Sequence, residues 1–310
     1  MRKIKQHPFL LNSYITSIIH KKPIKNQFIF SFLEYSDKGV NDPLDEKSHS
    51  PVRGLVHRYP DRVVLTITNK CFAYCRFCFR KDNWNNFEGF DLENAIKYIE
   101  KNKKIEEVLI SGGDPFFLNN TKIEQILKRL TAIKHIKFIR IGTRVLSAMP
   151  SRINIQTINI LKKYKPLWIA AHINHPDEIT GEFIKAVHLF TDNGMPILSQ
   201  TVLLKNINDD AKILKNLFCT LVSLNIKPYY LFGCDQAIGN SNFRVSIKRA
   251  LEIMKTLRGN ISGICMPNFA FDLPNGGGKI ILEPDRILKH EDKHYLFKNF
   301  ENKEFGYEDI

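Results

Sequence analysis

The stretch 62-RVVLTITNKCFAYCRFCFRKD-82 joins two different signals. Its first seven residues are a β-branched apolar run of strand length, and the remainder places Cys71, Cys75 and Cys78 at spacings of three and then two residues. The strand half sets a rhythm that the rest of the chain repeats. Similar runs recur at 106–112, 137–143, 167–173, 196–204 and 227–234, and amphipathic helix-length segments fall at 92–102, 121–133, 154–164, 182–193, 210–224 and 245–257. Six strand-then-helix units in series predict an α/β protein with a parallel sheet, partly closed as a (β/α)6 barrel; an open doubly wound sheet is the alternative.

The positions of the unusual residues favour the barrel. The cysteine loop follows the first run, 111-SGGDP-115 the second, 142-GTR-144 the third and 172-HINHP-176 the fourth; Gln200 lies on the fifth and Asp235 follows the sixth. All are C-terminal ends of strands, where barrels assemble their active sites. Before the barrel, the chain has mixed helical periodicity through about residue 40 and a polar loop at 41–51, so residues 1–55 read as an N-terminal helical extension. Residues 56–260 read as the barrel and 261–310 as a C-terminal segment with further strand-like pieces at 264–284 and 294–300.

Composition narrows the class. The apolar runs stop well short of the ~20 residues of a membrane span, and the basic start 1-MRKIKQHPFLLNSY-14 lacks the apolar core and cleavage site of a secretory signal. A cytoplasmic protein without a membrane partner is expected. Six cysteines in a reducing compartment do not predict a disulfide framework, and Cys219, Cys234 and Cys265 stand singly among apolar residues as buried packing groups. The net charge of +14 would suit a polyanion. Its lysines, however, are spread along the whole chain, which predicts a solvated basic surface, with no nucleic-acid partner expected.

Three soft thiolates in one loop fall one short of the four ligands of structural zinc, and no nearby Cys or His completes a zinc set. A four-iron cluster can use three thiolates and leave one iron open for a substrate. The C-x3-C-x2-C spacing resembles that of the radical S-adenosylmethionine (SAM) enzymes, and Phe72, Phe77 and Phe79 around the cysteines would keep a cluster dry. The resemblance then sharpens to the lysine 2,3-aminomutase family. It is carried by 42-DPLDE-46, 51-PVRGLVHRYPDRV-63, 75-CRFCFRK-81, 109-LISGGDP-115, 139-IRIGTRV-145, 173-INHPDEIT-180, 199-SQTVLLKNIND-209, 228-PYYLFGCD-235 and 274-PNGGGK-279.

That resemblance implies a [4Fe-4S] cluster on Cys71, Cys75 and Cys78, SAM on the open iron, pyridoxal 5'-phosphate (PLP) on Lys279, and an electron donor such as flavodoxin or ferredoxin. In such enzymes an adenosyl radical abstracts hydrogen from Cβ of the PLP-bound substrate, and the nitrogen migrates through a three-membered ring. Ser111, Gly112, Gly113 and Asp114 would meet the SAM ammonium, with Asp114 as an acceptor. Arg58, Tyr59 and Arg62 would bind the PLP phosphate; Arg62 could instead simply pair with Asp61. Arg144, His172 and Gln200 would line the SAM and PLP region. Arg80 would grip the substrate carboxylate, or could be a surface charge beside Lys81. Asp235 and Asp272 would hold a distant ε-ammonium, which makes a small amino acid, L-lysine, the expected substrate; ornithine or another diamino acid is the alternative.

The chain departs from the larger family members in having no cysteine after Cys265 and Asp210 where their zinc site would draw a thiolate. That departure implies no zinc site and does not carry over the family's tetramer; a homo-oligomer of unspecified size is the expectation. The short tail also resembles that of a relative making β-lysine for attachment to translation elongation factor P. Two other classes compete: a zinc-stabilised RNA-binding module, and a radical SAM enzyme without migration chemistry.

Overall fold

The computed structural model describes residues 9–36, 39–81 and 86–309. Residues 1–8, on which the reading of the start partly rests, and Asp82 at the end of the cysteine motif lie outside them. Among the described residues no helix is long and apolar enough to cross a membrane.

Nine strands form one sheet in simple sequence order. They are β1 (Leu55–Tyr59), β2 (Arg62–Thr66), β3 (Glu107–Ser111), β4 (Phe138–Thr143), β5 (Leu167–His172), β6 (Ile197–Leu203), β7 (Ile226–Gly233), β8 (Asn268–Leu273) and β9 (Gly278–Ile281). Pairing is parallel from β2 to β8, while β1 and β9 are antiparallel edges. Six helices follow the six predicted strands: α3 (Leu92–Lys101), α4 (Asn120–Thr131), α6 (Ile155–Leu161), α7 (Gly181–Thr191), α8 (Ala211–Ser223) and α9 (Ile247–Leu257). A four-residue turn of helix, α5 (Val145–Ala148), follows β4 directly.

Each of those six helices begins on a side-chain cap. Asp91, Asn119, Asn154, Thr180, Asp210 and Ser246 each accept a backbone N–H of the first turn, a contact worth about 1 kcal/mol. Asp210, which marks the departure from the family's zinc pattern, thus serves as a cap. Four helices then bury the same i, i+3, i+4, i+7 stripe: Ile123, Ile126, Leu127 and Leu130 on α4, with matching sets on α7, α8 and α9. The stripes cover the outward residues of the strands, such as Val63, Leu65, Val108, Ile110, Ile139 and Ile141, all nearly solvent-free.

Inward residues alternate with these and face an open cavity, unlike the side-chain-filled interior of a closed eight-stranded barrel. The sheet curls until its edges meet through side chains. The Tyr59 hydroxyl of β1 accepts the backbone N–H of Lys279 on β9 at 2.7 Å, and Arg58 Nε donates to the Gly276 carbonyl. A partial barrel is therefore what the chain forms. The sheet runs on to Ile281, so β8 and β9 from the C-terminal segment are strands of the barrel itself.

The N-terminal helices α1 (Ser13–Ile18) and α2 (Lys22–Phe28) pack Ile15, Ile18, Ile24 and Phe28 against Ala73 in the cysteine loop. Beyond the barrel, β10 (Ile287–Glu291), β11 (His294–Lys298) and β12 (Glu304–Glu308) form a separate antiparallel meander. Of its strands only β11 coincides with an expected one. Strands β10 and β12 are exposed along their whole length; β10 shows no apolar alternation, whereas on β12 Phe305 and Tyr307 alternate with Glu304, Gly306 and Glu308, a signal that could have been read.

Candidate active site

The cavity inside the half-barrel has a volume of about 840 Å³, at the upper end of the range for small-molecule sites. Every expected site residue lines it: the three cysteines, Arg58, Tyr59, Arg62, Arg80, 111-SGGD-114, Arg144, His172, Gln200, Asp235, Asp272 and Lys279.

The cysteine loop is held from behind by the extension. Arg76, between two of the cysteines, is fully buried and forks onto Glu34, and its backbone N–H donates to the Gln27 carbonyl. In front of it lies 111-SGGDP-115. The Gly113 N–H donates to the Thr68 carbonyl and the Asp114 N–H to the Lys70 carbonyl. A Cβ on Gly112 would lie 2.4 Å from the Thr68 oxygen and one on Gly113 2.3 Å from the Lys70 oxygen, so both glycines are needed for contact with the chain entering the loop. Asp114 is already engaged within the chain: its carboxylate takes the N–H groups of Phe116 and Arg144 and the Thr143 hydroxyl. Those bonds join the ends of β3 and β4 beneath the cysteines.

All three thiols are free, and burial raises each of them, Cys78 to about 11. Such buried thiols ionise when a metal supplies the opposing charge. Arg144 Nη1 donates to Cys75 Sγ at 2.6 Å, while Arg144 Nε is a buried donor without a partner. Three thiols lining one cavity, with a buried guanidinium donating to one of them, fit an iron–sulfur cluster. Among the described residues no three Cys, His, Asp or Glu groups converge as a single ion requires, so the fit rests on the donor set. His172 Nε2 donates to Asn174 Oδ1 at 3.0 Å, and burial and Arg144 push its pKa down to about 3. It is therefore a neutral imidazole at any physiological pH. By strand register Gln200 stands beside His172 and next to Tyr230.

The edge strands build the rest. Lys279 Nζ lies 2.8 and 2.9 Å from the two oxygens of Asp272, and 4.0 and 5.2 Å from the ring centres of Phe232 and Tyr230. Burial lowers its pKa, opposed by Asp272. Asp235 is pushed up to about 7, by burial first and by repulsion from Asp272 second. Arg58 and Tyr59 flank Gly278, where φ is +85° and a Cβ would sit 3.3 Å from the Tyr59 hydroxyl. Arg62 does pair with Asp61, at 2.8 Å, and lies 3.9 Å over the Tyr59 ring. An amine beside aromatic faces, two guanidinium groups and a glycine cradle fits PLP.

Arg80 is not a surface charge, and Lys81 beside it is only 2% exposed. The partner of Arg80 was not visible in the sequence. Its Nε and Nη2 bind both oxygens of Glu46, and Nη1 donates to Ser111 Oγ at 3.0 Å. Also missed was the ion pair Arg140–Glu107 inside the barrel. Both lie on inward positions of a strand, where a charge facing a cavity is a signal that could have been read. Cys219 proves half-buried, where full burial was expected.

The fold and this loop define a radical SAM enzyme. A model of the radical SAM superfamily matches residues 65–218, and one described as lysine-2,3-aminomutase matches residues 254–309. The chain is 41% identical over 289 residues to the L-lysine 2,3-aminomutase of Fusobacterium nucleatum, covering 90% of this chain and 67% of that one. Identity to the enzyme of the same name from Methanococcus maripaludis is 40% over 305 residues, with 95% and 70% covered. Identity to the glutamate 2,3-aminomutase of Clostridioides difficile is 35% over 313 residues, with 98% and 74% covered. Among solved structures, SuiB of Streptococcus suis bound to S-adenosylmethionine shares the fold at a TM-score of 0.51 and 17% identity, over 73% of this chain and 49% of that one. The chain belongs to the lysine 2,3-aminomutase family. It is an enzyme, and its superfamily carries a [4Fe-4S] cluster and uses SAM.

Proposed function

We propose that the enzyme moves the α-amino group of L-lysine to Cβ, giving β-lysine, with PLP on Lys279 and SAM beside the cluster on Cys71, Cys75 and Cys78. One observation carries the choice of substrate: Asp272 holds an ammonium, that of Lys279, at 2.8 and 2.9 Å, and Asp235 lines the same cavity close enough to act electrostatically on both. When bound, SAM supplies a primary radical and PLP an electron sink next to the migrating nitrogen.

The chain's own residues do the rest. Burial makes Lys279 easier to deprotonate, and the Asp272 carboxylate at 2.8 Å orients its Nζ. Once that amine is committed to the cofactor, the two carboxylates need another cation, and a diamino acid brings one. A glutamate side chain would add a third negative charge at this point. Arg80 is the cation available to the substrate carboxylate, and Arg58 and Arg62 suit a phosphate. Neutral His172 offers a hydrogen bond without adding charge. Tyr230, Phe232 and Trp168 make an apolar wall that excludes water from a reactive radical.

The test is anaerobic turnover of the reconstituted enzyme with isotopically labelled lysine, ornithine and glutamate, followed by NMR. Label should move from the α to the β position with lysine. Migration with glutamate equal to that with lysine refutes the substrate, and SAM consumption without any migration refutes the mutase.

A further inference from the structure

We propose that Glu46 is a positioning residue that turns the Arg80 guanidinium so that its outer edge receives the substrate carboxylate. The inference rests on the function proposed above and adds a residue to it.

The observations begin in the turn 42-DPLDE-46. Asp42 Oδ1 accepts the Glu46 N–H at 2.9 Å and Asp42 Oδ2 the Lys47 N–H at 3.0 Å, which fixes the backbone on which Glu46 stands. Asp45 beside it takes a left-handed φ of +53°. From this turn Glu46 reaches Arg80 and binds it through Nε at 2.8 Å and Nη2 at 2.5 Å. The two side chains are only 17% and 13% exposed, so the pair is shielded from the solvent screening that makes surface ion pairs weak.

The atoms involved decide the role. A guanidinium has five N–H groups. Glu46 takes the edge formed by Nε and Nη2, and Ser111 Oγ takes one N–H of Nη1. One N–H is left on each terminal nitrogen of Arg80, which lines the cavity. A carboxylate arriving there finds a forked donor pair whose plane Glu46 has already set. Without Glu46 the long Arg side chain would have to lose its rotamer freedom on binding, and Asp235 would compete for it, since both act electrostatically on the same carboxyl. An alternative role, in which Glu46 is a placeholder that the substrate must displace, predicts the opposite effect of removing it.

The experiment is anaerobic calorimetry of the reconstituted holoenzyme and of its Glu46→Ala and Glu46→Gln variants. The probes are L-lysine and 1,5-diaminopentane, which is lysine without its carboxylate. Iron content and circular dichroism serve as the check on folding. Glu46→Ala should weaken lysine by about 10-fold to 100-fold, the worth of a charged hydrogen-bonded contact, and leave diaminopentane unchanged. Glu46→Gln, which keeps one acceptor for Nε, should fall between. Tighter lysine binding in Glu46→Ala overturns the proposal in favour of the placeholder. Equal weakening of both probes shows a merely structural role and also overturns it, as does no change in either. If the unmodified enzyme fails to prefer lysine to diaminopentane, what fails is the assignment of Arg80 to the carboxylate in the proposed function.

Discussion

Asp235→Asn should change the pH dependence of lysine binding as well as its strength. Burial and the neighbouring Asp272 push the Asp235 carboxyl up to about 7. One pH unit above that value it is roughly nine-tenths ionised, and one unit below it roughly nine-tenths protonated, while the lysine side chain, with a pKa of about 10.4, stays charged throughout. At the higher pH the amide loses a buried charged contact worth about 2–5 kcal/mol, roughly 30-fold to several thousand-fold in affinity. At the lower pH the unmodified enzyme must first release a proton, at a cost of about 1.4 kcal/mol, so the loss on mutation shrinks roughly tenfold. The sign is set by the raised pKa: lysine affinity falls as pH drops through 7 in the unmodified enzyme, and stays level in the variant. The same shift makes the lysine-free protein less stable as pH rises from the ordinary carboxylate range toward 7, because the folded chain holds a proton the unfolded chain has released. Anaerobic calorimetry at three pH values, in buffers of different ionisation enthalpy, counts the proton released. Norleucine, which lacks the ammonium, is the control. An equal loss at both pH extremes, or an equal loss for norleucine, refutes the carboxylate pair.

Three further outcomes are expected. Replacing Cys71, Cys75 or Cys78 with Ala should remove iron, sulfide and SAM cleavage together; a variant that still cleaves SAM refutes the cluster assignment. Lys279→Ala should retain its iron yet lose the PLP that borohydride traps on the protein; trapping that persists identifies another lysine as the anchor. Gly113→Ala places a methyl 2.3 Å from the Lys70 carbonyl oxygen, so it should destabilise the fold by about 1–3 kcal/mol. That loss, read from thermal unfolding, should come with reduced iron content; an unchanged melting temperature shows that the loop can move aside.

The site is legible in the sequence wherever chemistry depends on local spacing. The cysteine triplet crosses only eight positions, and Lys279 follows its three glycines directly. Asp114 shows the limit of that reading. Its place after β3 can be read, but the bonds it accepts from Thr143 and Arg144 of the next unit are announced by no local pattern.

The rhythm of six strands and helices was determined by the sequence alone, because periods of two and of about 3.6 residues are properties of the local chain, as are the Asx and Ser/Thr caps that start each helix. Tertiary structure alone decided the pairing of groups distant along the chain. Glu46 meets Arg80 across 34 positions, and Tyr59 meets Lys279 across 220. Neither meeting has a signature in periodicity: the first joins two loops on either side of the β1–β2 pair, and the second depends on how far the sheet curls before its edges touch. The β8–β9 pairing sets the Lys279 ammonium opposite Asp272, and Asp235, after the neighbouring β7, is raised by burial and by repulsion from Asp272. The residue types were there to be read, but the low-dielectric cavity that gives them their protonation states exists only once the barrel has folded.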